Sequence, residues 1–437
     1  MKLKRALIFL LILSMLLPAA VACKKRHNVS DDPTGSAGTS DTDSGTGESE
    51  KDPFTLAETR FSVICPDLQE TVYRDALIRI RDTMEAGTGV RPEVVTDFEK
   101  GGKAPIQNDN FEILVGDTNR AESAQVECEA GSYTVCVVNR KVVIKGSDEF
   151  YTWCAVEYFV ENCISGESGT AVLKIAKGYT HTESGVKKTF GKMLSLGMPI
   201  ASRLKKTRVM TIAKEDGYTC IQGGATDGKW LYFLLNDGKT DDTAKSRLIK
   251  VNPATMKVEQ TLSDILCAHA NDMTYNSKTG KLMISHCNVD ATKYTVINPE
   301  TMTVEGVKSA SVGFFGIAYV PERNGYVIAK SGTYDLCILN ASLRVTRELT
   351  GENTGWVKQG IDADNDRIYY MQSPSSSLYK ENRILTYDWE GNLTHTFTID
   401  SEAEGEHLMW LDNCFYAGFN NSQSGTIEIY RLDYVFG

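Results

Sequence analysis

A short pattern returns five times in the second half of this chain, and it constrains the fold more than any other feature. The copies start at Gln222, Asn271, Phe315, Gln359 and His407. Each opens a strand-like run such as Phe315-Gly-Ile-Ala-Tyr. Successive starts lie about 44 to 49 residues apart, the period of four-stranded blades in a propeller. A second apolar run follows each start, as in Leu231-Tyr-Phe-Leu and Ile368-Tyr-Tyr-Met. Third strands begin near Arg247, Tyr294, Leu336, Arg383 and Thr426, and fourth strands run through 257–262, 303–308, 344–349 and 393–399. The fifth copy reaches Gly437 without a fourth strand, while residues 207–213 precede the first copy without a partner. The expectation is a five-bladed all-β propeller over 207–437, closed by strand 207–213. Closure removes the free sheet edges that invite aggregation.

The other end of the chain reads as an address. Lys2, Lys4 and Arg5 precede an apolar run from Ala6 to Val21, too short for a typical membrane span. The run ends in Ala20-Val-Ala-Cys23, which resembles the lipobox of bacterial lipoproteins. The resemblance implies a signal peptide over 1–22, a lipidated Cys23 and a place on the extracytoplasmic face of the bacterial cell membrane, anchored in the lipid bilayer. Residues 23–53 are rich in Ser, Thr, Gly and Asp and read as a disordered tether. The net charge is −10, and the leader contributes three of the cations. So acidic a chain disfavours phosphate-neutralising contacts, which argues against nucleic acid as a partner. The chain reads as a monomer. Of eleven cysteines, Cys65, Cys136, Cys154, Cys337 and Cys414 sit in apolar runs and read as buried thiols. No Cys-x-x-Cys pair is present, so neither a metal site nor a cofactor is expected from cysteine spacing.

Residues 54–190 alternate strands and helices. Strands are expected at 61–65, 92–96, 111–116 and 171–176, with a hairpin over 133–144 turning at Asn139-Arg140. Helices are expected at 68–85, stopped by Gly87 and Gly89, and at 150–164. Together they make an α/β sandwich. Ile113-Leu-Val-Gly116, Gly131-Ser-Tyr-Thr-Val135 and Val143-Ile-Lys-Gly146 resemble the accessory domain that precedes the catalytic barrel in hexosaminidase- and α-glucuronidase-type glycoside hydrolases. That domain is not the catalytic one, so the resemblance implies a saccharide-rich setting. The Asp227-Gly-Lys-Trp-Leu-Tyr232 and Ile249-Lys-Val-Asn-Pro253 elements resemble those of SMP-30/NHL and YncE-like propellers, a group that holds enzymes and binders alike.

Aligning the five starts places Gln222, Asn271, Phe315, Gln359 and His407 at one position around a central mouth. His269, Asp272, Asp362, Glu404 and Glu406 lie within a few residues of it. Amides and carboxylates bond hydroxyl groups and an aromatic face packs on a sugar ring. The alternative use of these groups is to satisfy loop backbone and ordered water. The leading expectation is a non-catalytic lipoprotein that binds a glycan or cell-wall ligand at the mouth. The second is a glycoside hydrolase or lyase using mouth carboxylates. Arabinanase-type five-bladed hydrolases place an Asp in the first blade where this chain has Gln222, a departure that weakens the second. His269, Asp272 and His407 also offer metal-ligating chemistry.

Overall fold

The computed structural model describes residues 61–100, 104–165, 172–173, 175–214, 217–374 and 380–437. The leader, Cys23 and the tether lie outside them. Residues 205–437 form a five-bladed β-propeller. Each blade is a four-stranded antiparallel sheet, and in blades 1 to 4 the strands follow one another in chain order from the axis outward. In blade 1 they are Cys220–Thr226, Leu231–Asn236, Lys245–Asn252 and Lys257–Leu266. The inner strands of blades 2 to 5 are Met273–Asn276, Phe314–Val320, Val357–Ala363 and Glu404–Leu411. Blade 5 continues through Cys414–Asn421 and Thr426–Asp433. Its outer strand is Lys205–Ala213, paired antiparallel from Thr426↔Ala213 to Asp433↔Lys205. The expected closure is present, two residues longer than the apolar pattern suggested.

Burial explains the layering. The second strands are buried throughout, as in Leu231–Asn236, because a blade presses on both faces. The outer strand Lys257–Leu266 is mostly exposed and mixes charged, polar and apolar residues. Between blades 5 and 1, Ile221, Phe233 and Ile249 meet Met409, Tyr416 and Ile427 in one apolar cluster. Each such side chain contributes about 1.5–3 kcal/mol on full burial.

Polar side chains lock one blade to the next. Asn236 Nδ2 donates to the Ala268 carbonyl at 3.3 Å, and Ser285 Oγ to the Phe315 carbonyl at 2.7 Å. Tyr334 Oη donates to the Trp356 carbonyl, Ser373 Oγ to that of Gly405, and Asn420 Nδ2 to that of Ile221. All five blade junctions therefore carry a side-chain bond to a backbone carbonyl, which would otherwise be left unpaired near the axis.

The preceding residues build a six-stranded mixed sheet, ordered Glu93–Thr96, Ser62–Cys65, Glu112–Val115, Lys141–Gly146, Ser132–Val138 and Thr180–Ser184. Val63, Cys65, Ile113, Val115, Val142 and Ile144 alternate onto one face, under the helices Glu70–Thr88 and Glu149–Tyr158. Gly89 ends the first helix in a left-handed conformation (φ 71°). The sixth strand corrects the sequence reading. The run expected at 171–176 supplies only Val172–Leu173, paired with Ile164–Ser165 in a separate two-stranded sheet, and residues 171 and 174 lie outside the described set. The true edge strand, Thr-His-Thr-Glu-Ser, is polar and exposed and so carries no apolar period.

Sheet and propeller share one core. Phe190 opens a short helix, Phe190–Ser195, capped by the Thr189 hydroxyl. Its ring packs 5.1 Å from both Phe397 and Phe415 and 5.6 Å from Trp410. The segment after it is held by the blades: Thr398 N donates to the Ser202 carbonyl and Gly437 N to that of Pro199. The described residues from 61 to 437 form one compact unit, so the stretch between 190 and 207 is packed structure. Cys65, Cys136, Cys154, Cys337 and Cys414 are buried and outside any disulfide. Among the described residues no helix is long and apolar enough to cross a membrane.

Candidate functional site

Four inner strands carry a bulge near their N-terminal ends, and the bulge decides where the site residues point. The irregularities fall at Gln222, Phe315, Gln359–Gly360 and Glu406. Counting from the second strands, Glu406 is therefore the partner of Gln222, Asn271, Phe315 and Gln359. His407 stands one residue further on. The reason is the blade 5 hairpin, which turns through two residues, Asp412 (φ 49°) and Asn413 (φ 66°), whereas the other blades use longer turns.

His407 instead belongs with Gly223, Asp272, Gly316 and Gly360. Each of these faces the next blade close to the axis. A Cβ on Gly223 would lie 3.0 Å from the backbone of Asp272, and one on Gly360 would lie 3.0 Å from the Glu406 carbonyl. Three blades solve the crowding with glycine. The other two fit a side chain. Asp272 reaches past Gly316, and its Oδ2 accepts from Ile317 N at 3.0 Å and Ile361 N at 3.1 Å, while Oδ1 accepts from Met273 N. Burial holds this carboxyl well above the usual carboxylate range, against the pull of those amides. The His407 ring lies against Gly224 of blade 1, where a Cβ would come within 2.3 Å of Cδ2 and Nε2. Burial lowers its pKa to about 3, and neither ring nitrogen has a hydrogen-bond partner. Asp272 and His407 are thus wedges between blades.

A second group remains at the N-terminal mouth. Gln359 Nε2 of blade 4 donates to Glu404 Oε1 at 3.1 Å. The Glu404 carboxyl stands near that of Glu406. Glu406 Oε1 accepts from Asn420 Nδ2 at 2.6 Å, and Asn420 Oδ1 accepts from Ile221 N at 2.9 Å. One line of polar side chains, with Gln359 bonded to Glu404 and Asn420 bonded to Glu406, thus runs from blade 4 through blade 5 to blade 1. Glu404 is exposed, so the chain opens to solvent. Burial pushes the Glu406 carboxyl well up, and the Glu404 charge adds to it. Near this chain, Gln222 Oε1, Asn271 Nδ2 and Gln372 Nε2 are buried without hydrogen-bond partners. Such groups cost free energy until water or a ligand pairs them.

Three expected site residues behave differently. Phe315 is only 5% exposed, with the Lys358 ammonium 4.8 Å from its ring centroid, so its face is not open for stacking. His269 bonds the Lys239 carbonyl through Nδ1, on a loop where Ala268 and Ala270 hold left-handed φ values of 52° and 51°. Asp362 lies at the other end of the channel: its Oδ1 accepts from Ala363 N and its Oδ2 from Trp410 N. It lines an axial cavity of about 270 Å³ bounded by the C-terminal halves of all five inner strands. Among the described residues no group of three His, Cys, Asp or Glu side chains is placed to hold a metal ion. Asn420 and Gln372 carried no sequence signal as site residues, because they sit at the ends of second strands.

Neither a protein-family model nor a curated protein matches the sequence. Solved structures similar to it include the glutaminyl cyclase of Myxococcus xanthus, at 12% identity over 54% of this chain and 99% of that one, with a TM-score of 0.39. The tail fibre of Staphylococcus aureus phage P68 matches at 13% identity over 53% of each chain, with a TM-score of 0.38. A luciferin-regenerating enzyme matches at 11% identity over 53% of this chain and 95% of that one, with a TM-score of 0.34. At these scores the likenesses carry no argument about the site.

Proposed function

We propose that this protein is a surface-tethered binding lipoprotein whose N-terminal propeller mouth takes a polyhydroxylated ligand, a glycan or cell-wall saccharide. The Gln359–Glu404–Glu406–Asn420 chain carries the reading. It is a pair of carboxyls flanked by two amides, able to donate and accept along one line, as a string of hydroxyls requires. The unpartnered atoms of Gln222, Asn271 and Gln372 supply further donors and an acceptor. The strained Ala268 and Ala270 beside His269 fit a loop held in place at a functional mouth. The anchor rests on Cys23 and its flanking residues, and the N-terminal sheet, with its resemblance to hydrolase accessory domains, serves as a fixed base.

A hydrolase or lyase draws on one observation, the Glu406 carboxyl raised by burial, which suits a general acid. It needs a second carboxylate about 5–9.5 Å away. Glu404 is held by the Gln359 amide, while Asp272 and Asp362 hold backbone amides. The geometry therefore favours binding. Glycan-array screening of the full chain in detergent, followed by calorimetry and product analysis, tests this. Binding that falls at least tenfold in Gln359→Ala, with no product released, supports it. Binding untouched by Gln359→Ala and Glu404→Gln, or turnover of the bound glycan, refutes it.

A further inference from the structure

The axial cavity at the opposite end of the channel has a different chemistry. Its walls are more apolar than polar: Ile317, Ile361, Leu408, Tyr319 and Trp410 line it together with Thr226 and Thr274. Of the charged groups lining it, Asp362, Asp364 and Glu322 are acidic and Lys187 alone is basic. Lys187 Nζ is paired with Glu322 at 2.7 Å on the rim, which leaves the cavity with excess negative charge. Asp364 is committed: its Oδ1 accepts from Asp366 N and Arg367 N, and its Oδ2 from Gly191 N and Tyr369 Oη. Asp362 accepts only one amide on each oxygen, both from backbone, so each oxygen keeps a lone pair. Among the described residues lining the cavity, Lys187 is the only cation, and it is paired with Glu322.

We propose that this cavity is a second, separate binding site, for a small organic ammonium ion with an apolar or aromatic body. The ammonium pairs with the Asp362 carboxylate. The body fills the apolar walls, and the faces of Tyr319 and Trp410 favour the positive charge by cation–π attraction. About 270 Å³ is at the small end of ligand pockets, which suits a single ring or short chain and excludes an oligosaccharide. The inference does not depend on the glycan reading, because no residue of the polar line at the N-terminal mouth lines this cavity.

Benzylammonium is the probe, titrated into the full chain in detergent by calorimetry at pH 8, with benzyl alcohol as its uncharged counterpart. Saturable benzylammonium binding is expected, at least tenfold tighter than benzyl alcohol. Asp362→Asn should weaken it at least tenfold, and Gln359→Ala should leave it unchanged. Should Asp362→Asn fail to fold, Ala363→Phe keeps the carboxylate and fills the cavity, and it should abolish binding. Absent saturation, equal affinity for benzyl alcohol, or undiminished binding to Ala363→Phe each overturns the proposal.

Discussion

Replacing Gly224 by alanine tests the wedge role of His407 in numbers. The new Cβ would lie 2.3 Å from Cδ2 and Nε2 of the imidazole, where ordinary contact is 3.4–4 Å. One of the two must move by more than an ångström. The ring has no retreat, because Cε1 already lies where a Cβ on Gly418 would come within 2.5 Å, beside Ile221 Cδ1. Overpacking of this kind costs about 1–3 kcal/mol. His407→Ala acts in the opposite sense on volume: it empties the site and removes two unpaired nitrogens. In the double variant the added methyl enters the space the ring left, so the two costs do not sum. The expected coupling is about 1–3 kcal/mol in the favourable direction. Urea unfolding followed by far-UV circular dichroism, with slopes compared across the four proteins, measures it. Additive costs would mean that the ring does not lie against Gly224, and the blade 5 register described above would be wrong.

Phe190→Ala should cost about 3–5 kcal/mol, because it empties a site shared by the sheet and blades 4 and 5; an unchanged denaturation midpoint would show that the two layers do not share a core. Burial raises Asp362 to about 7, so its contribution to stability is full below the unfolded carboxylate pKa of about 3.9 and is lost as pH rises through 7. The Ala363 and Trp410 amides pull the other way, Asp364 adds to the rise, and Lys187 and Glu322 on the rim offset each other. Relative to Asp362→Asn, the native chain should thus lose stability between pH 4 and pH 7, and urea midpoints that differ by a constant amount across that range would contradict the burial. Lys141, 1% exposed, pairs with Glu112 at 2.9 Å and Glu122 at 3.1 Å. Glu112 also keeps Arg120 at 3.0 Å, so Lys141→Met should cost about 3–5 kcal/mol mainly by leaving buried Glu122 without its cation, read from the same urea curves; a loss below 1 kcal/mol would show Glu122 solvated.

The ring was legible because blades repeat, and each repeat carries its own apolar strands and turns. Even the closing strand could be read, since Thr207 to Ala213 had no other partner and blade 5 lacked one. Register was harder. The glycine after Gln222, Phe315 and Gln359 marks the close approach between blades, but blade 5 places His407 there and shortens its hairpin, so matching first residues slipped by one. Asp362 was assigned to the mouth because it is near Gln359 in sequence, yet three residues of strand rise about 10 Å, enough to reach the other half of the channel. Phe190 looked like the tail of a domain, since nothing in a linear pattern shows which distant blades an isolated aromatic will enter. The partners that turn Glu406 from a lone acid into part of a chain, Gln359 and Asn420, come together only when blades 4, 5 and 1 are assembled.

A crystal structure of the full chain soaked with the saccharide retrieved by array screening addresses the central claim most directly. Sugar density is expected at the N-terminal mouth, with hydroxyls within hydrogen-bond distance of Glu404, Gln359 and Gln222. Density seated instead on the outer strands, on the N-terminal sheet or in the axial cavity beside Asp362 would contradict it.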